Sequence, residues 1–186
     1  MIIGGFSGFI IGLEKVFIGK YIGTESLGNY SAYYASSQMI ISNFGILFMN
    51  IFWPTIVKNK ENIVVVVNKL SKIFFRYFPV WVALNFISIS FFIFLYGKQY
   101  HMGVILILLF SVASLLNVFF FVFMTILNID KISRAILVNM LVYGILILSI
   151  VIFRSIPAYL VVQIVIYLIG IMYVRKNLMH NALIKI

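Results

Sequence analysis

The sequence predicts an all-α polytopic membrane protein with six transmembrane helices. Three observations carry this expectation: composition, the length of the apolar stretches, and the placement of basic residues. Of 186 residues, 64% are hydrophobic and 10% charged, whereas about a quarter of the residues in a soluble domain are charged. A spanning helix needs about 20 predominantly apolar residues. Six such stretches run at about 2–19, 28–52, 74–96, 102–127, 135–153 and 156–174. With both termini cytoplasmic, ten of the 14 lysines and arginines fall on the inner side. Lys20, Lys98 and Arg154 fall outside, and Lys15 lies inside the first span. This is the positive-inside pattern.

The first span, IIGGFSGFIIGLEKVFIGK, holds Gly4, Gly8 and Gly12 in two overlapping GxxxG units, which predict a close-packing face. Glu14 and Lys15 interrupt it, and a charge near the bilayer centre costs about 2.5–3.5 kcal/mol. Lys15 falls within about 20° of the glycine face, whereas Glu14 points about a quarter-turn away. Adjacent residues on a helix do not face each other, so the two charges are expected to have different neighbours.

In the second span Tyr30, Ser31, Tyr34, Ser37, Gln38, Ser42 and Gly45 share one face. Pro54 is expected to end that helix. The stretch from Trp53 to Ile73 reads as a basic connection lying at the membrane interface. The third span carries Tyr77, Trp81, Asn85, Ser88 and Tyr96 on one side. The fourth carries Ser111, Ser114, Asn117, Thr125 and Asn128, and the sixth Tyr159, Gln163, Tyr167, Gly170 and Tyr173. Two readings of these stripes stand. Serine, threonine, asparagine and glutamine join helices in any polytopic bundle; recurrence in four helices also fits a shared polar interior, either a cavity or an interface with a second bundle.

Enzymatic chemistry finds few raw materials. The acids Glu14, Glu25, Glu61 and Asp130 lie in separate segments, and His101 and His180 are far apart, so no paired-carboxylate or metal site is expected. GGFSGFIIG has neither GxGxxG nor Walker-A spacing. The chain has no cysteine, which excludes disulfides and thiolates. The reading is therefore a non-enzyme with no catalytic residues, cofactor or metal. The net charge of +10 reads as a topology signal and an attraction for anionic membrane lipid, not as a nucleic-acid surface.

The run EKVFIGKYIGTESLGNYSAYY, Glu14 to Tyr34, resembles the seventh-helix region of Wzx-type polysaccharide (O-antigen and capsule) flippases. There an acidic residue precedes a G-T/P-x-x-x-G-x-Y segment, and Gly23, Gly28 and Tyr30 stand at the matching places. IFWPTI resembles the proline exit of the family's eighth helix, and FLYGKQYHMGVILILLF the entry to its tenth. The resemblance implies the C-terminal lobe of a two-lobe transporter in the multidrug/oligosaccharidyl-lipid/polysaccharide exporter superfamily. Such a protein sits in the inner (plasma) membrane and moves an undecaprenyl-linked oligosaccharide outward through a polar cavity. The implied partners are the glycan substrate, membrane lipid, and either a missing N-terminal lobe or a second copy.

Glu14, Lys15, Tyr34, Gln38 and Asn117 are the expected cavity contacts. Lys15 is assigned toward a pyrophosphate and Glu14 toward a coupling proton. A non-transporting assembly subunit and a drug or ion exporter of the same superfamily are the alternatives.

Overall fold

The computed structural model describes the backbone of residues 2–58, 63–97, 100, 103–130 and 132–183. Within these it describes side chains outside 2–11, 40, 42–44, 46–49, 52, 55, 57, 63–64, 129–130 and 179–183. The described residues form α1 (Ile2–Tyr21), α2 (Thr24–Lys58), α3 (Ile63–Tyr96), α4 (Val104–Asp130), α5 (Ile132–Phe153) and α6 (Ile156–Leu183). Among them, the spans Val65–Tyr96, Val104–Asn128, Ile132–Phe153 and Ile156–Leu178 are long and apolar enough to cross a membrane. The protein is an all-α polytopic membrane protein. The environments of Gly4, Gly8 and Ser42, and the side chains of Glu61, Asp130, His101 and His180, lie outside the described residues.

One sequence expectation is corrected. Pro54 does not end the second helix but lies inside α2, as Pro79 lies inside α3. Membrane helices tolerate proline because neighbouring groups satisfy the freed carbonyl. The basic stretch from Trp53 to Ile73 is helical wherever it is described. α2 continues to Lys58, and α3 begins at Ile63. Val67 and Leu70, three residues apart, are buried at 0% and 2% exposure, so this first part of α3 packs its apolar side into the bundle.

α4 is the central helix, packed against α2, α3, α5 and α6, while α1 lies against α2 and α5. Its sequence explains the position. Ile107, Phe110, Leu115, Leu116, Phe120 and Val122 are all buried, and at about 100° per residue their positions run around the helix circumference. A helix apolar on every side belongs in a core. Gly170 on α6 allows the closest approach: a Cβ there would meet the Phe120 ring at 2.7 Å. By contrast, among the described residues nothing lies within 4 Å of a Cβ built at Gly12, so the expected glycine face of α1 has no described neighbour at that position.

Two tight connections set the registers. The N–H groups of Ile22 and Gly23 both donate to the Ile18 carbonyl, and the Gly23 carbonyl accepts from Leu27 to start α2. Gly23 has φ 122°, a conformation in which a side chain would be strained. Arg154, between α5 and α6, takes φ 46°. Each connection is two residues long, so α1–α2 and α5–α6 are close antiparallel hairpins.

Candidate functional site

A helical hairpin brings together residues equally distant from its turn. Glu14 and Tyr30 each lie eight residues from Ile22, about 12 Å along their helices. The Tyr30 hydroxyl donates to Glu14 Oε1. Glu14 is 8% exposed and Tyr30 1%. A buried carboxyl in an apolar bundle is costly without donors, and this one takes its donor from the facing helix instead of from the adjacent lysine.

The other hairpin supplies the rest of the surroundings. Tyr159, near the start of α6, places its buried hydroxyl beside the same carboxyl, though without a full hydrogen bond to it. The Tyr159 ring meets the Tyr30 ring edge-on at 6.3 Å. Tyr143 on α5 and Tyr167 on α6 are each twelve residues from Ser155, about 18 Å along the axis. Their hydroxyls lie beside each other within electrostatic reach of Glu14. Gln163 donates to the Tyr167 hydroxyl at 3.3 Å. Phe110 of α4 packs on Tyr30 at 5.3 Å, and Phe120 stacks on Tyr167 at 5.5 Å. One carboxyl on α1 is thus enclosed by tyrosines from α2, α5 and α6.

Lys15 has a different neighbour. Its Nζ lies 5.2 Å from the centre of the Tyr34 ring, a cation–π arrangement, and Tyr34 stacks on Tyr30 one turn earlier. The structure therefore brings Glu14, Lys15 and Tyr34 into one group. Gln38 follows Tyr34 by one turn on α2 and is partly buried. Asn117 is partly buried on α4, and among the described residues no hydrogen bond joins it to the group around Glu14.

The polar stripes separate into two kinds. On α6 the stripe points inward: Tyr159, Gln163, Tyr167 and Gly170 are buried, and only Tyr173 at its end is exposed. On α3 and α4 the stripes meet each other. Asn85 Nδ2 donates to Ser114 Oγ at 2.9 Å, while Ser111 and Ser114 donate back to the carbonyls of Ile107 and Phe110. That pattern is helix packing. Tyr143 and the pairing of Tyr30 with Glu14 escaped the sequence reading. The signal for both was the equal spacing about Ile22 and about Ser155.

The family model described as "Polysaccharide biosynthesis protein" matches residues 6–105, more than half of the chain. The match covers Glu14, Lys15, Tyr30 and Tyr34, while Tyr143, Tyr159 and Tyr167 lie beyond it. No curated protein and no solved structure matches the chain.

Proposed function

The chain belongs to the polysaccharide biosynthesis protein family, and on that premise we propose that it moves a lipid-linked oligosaccharide across the cell membrane as one lobe of a flippase. The supporting observation is the burial of Glu14 among tyrosines from three other helices. An ionised carboxyl only accepts hydrogen bonds, whereas a protonated one must also donate. Gain or loss of a proton at Glu14 therefore changes its bond to α2 and how the tyrosine hydroxyls of α5 and α6 sit against it. A change in those contacts biases how α1 sits against its neighbours, which is the element an alternating-access transporter needs to move. Lys15 and Tyr34, beside this group, are proposed to meet the substrate's phosphate and sugar, and the remaining half of the cavity is assigned to a second lobe or a second copy. Both termini are proposed to be cytoplasmic.

The test is complementation of surface glycan in cells lacking the transporter. Glu14→Gln keeps shape and hydrogen-bonding capacity but removes ionisation. Export is expected to fall at unchanged membrane abundance. Normal export at normal abundance would sink the reading and favour a non-transporting assembly subunit. Reporter fusions after Asn59, Lys131 and Ile186 are expected to report cytoplasm, and those after Glu25, Gln99 and Ser155 the outside.

A further inference from the structure

α3 is 34 residues long, about 50 Å, against a hydrocarbon core of about 30 Å. One end must project into the headgroup region, and the charges identify which. Lys69, Lys72 and Arg76 are all exposed and fall within an arc of about 60° on α3. α6 packs along this part of α3: Arg175 Nη2 donates to Asn68 Oδ1 at 3.3 Å, with Lys176 exposed beside it. Arg175 Nε is buried and has no hydrogen-bond partner among the described residues. A buried guanidinium N–H left without an acceptor is costly and points to a missing one. The two acids whose side chains are described are elsewhere, Glu14 in the tyrosine group and Glu25 at the start of α2. Around the cations the surface is apolar, with Ile73 38% and Phe75 49% exposed.

We propose that this α3/α6 seam binds the phosphate of an anionic membrane lipid, held by Arg175 and Lys72, with the acyl chains against the apolar flank of α3. The partner follows from charge complementarity: Lys72 one turn beyond Asn68, the residue that Arg175 bonds, an unsatisfied guanidinium donor, and an adjoining face suited to hydrocarbon chains. The inference is independent of the flippase reading, because none of these residues touches Glu14.

The experiment measures the unfolding temperature of the purified full chain in detergent with added phosphatidylglycerol, phosphatidylcholine or sodium phosphate. Phosphatidylglycerol alone is expected to raise it. Arg175→Gln and Lys72→Gln are each expected to weaken the apparent lipid affinity about tenfold, the effect of losing one charge-assisted hydrogen bond. Arg134→Gln removes the same charge from the exposed start of α5 and is expected to leave that affinity unchanged. Equal loss in all three variants would mean attraction by net charge alone and overturn the site. Equal stabilisation by phosphatidylcholine would overturn the charge argument, and full stabilisation by sodium phosphate would overturn the lipid. Should Arg175→Gln fail to fold, Lys72→Gln, on an exposed side chain, carries the comparison with Arg134→Gln by itself.

Discussion

Two polar clusters lie inside this bundle, and they do opposite things. Between α3 and α4, Asn85, Ser111 and Ser114 are neutral, and the serine hydroxyls bond back to their own helix. Removing one link leaves the others intact. Around Glu14 a single ionisable group draws on the facing helix, and tyrosines from the distant hairpin close around it. There one carboxyl is bonded to the facing helix and enclosed by hydroxyls from two more. A polar stripe in a membrane sequence therefore marks a contact, and its chemical character depends on whether a charge stands opposite.

The comparison can be broken at several points. The largest effect is expected from Gly170→Ala, which drives a methyl group into the buried Phe120 ring and displaces Tyr167 stacked upon it. Overpacking of this kind costs about 2 kcal/mol, measurable as a lower unfolding temperature, and export is expected to fall with it. Tyr30→Phe removes the donor to Glu14 and is expected to cost about 1.5 kcal/mol. The control is the double variant with Glu14→Gln: if the pair is coupled, the two losses are less than additive.

Asn85→Ala sharpens the other side. Interhelical hydrogen bonds of this type average about 0.6 kcal/mol, so a small loss of stability with unchanged export is expected; a severe export defect at normal abundance would erase the distinction between the clusters. The smallest loss of stability belongs to Lys15→Met, which keeps the apolar stem and gives up a cation–π contact worth about 0.5 kcal/mol. Export is nonetheless expected to fall at normal abundance, and normal export would remove Lys15 from the substrate's path.

Much of the fold was legible because bilayer thickness imposes length. The end of the third span at Tyr96, the fifth at Phe153 and the sixth helix's start at Ile156 stand where hydropathy placed them. The helical start of α3 at Ile63 was not legible, because proline and lysine both signal a break in water, whereas Val67 and Leu70 found an apolar surface that only the folded bundle provides. For the candidate site, the separation of Glu14 from Lys15 followed from helical geometry. The partner of Glu14 did not, because a stripe gives a direction without a depth, and depth comes from the turn at Gly23. Asn117 shared the α4 stripe with Ser111 and Ser114, yet the described contacts of that stripe lead to Asn85 and not to Glu14.

The two-residue turn at Gly23 bears on how the chain enters the membrane. Tyr30 follows Glu14 by only 16 residues, so the carboxyl acquires its hydrogen-bond donor as soon as the beginning of α2 is made, long before α5 and α6 exist. A local contact of this kind forms early because little chain entropy is lost in closing it. α1 and α2 can therefore insert as a preformed hairpin with the acid already partnered, which offsets part of its insertion cost. The remaining tyrosines are made later than α1 and α2, so the buried acid is accommodated in two stages, the first local and the second completed only when α5 and α6 pack against it.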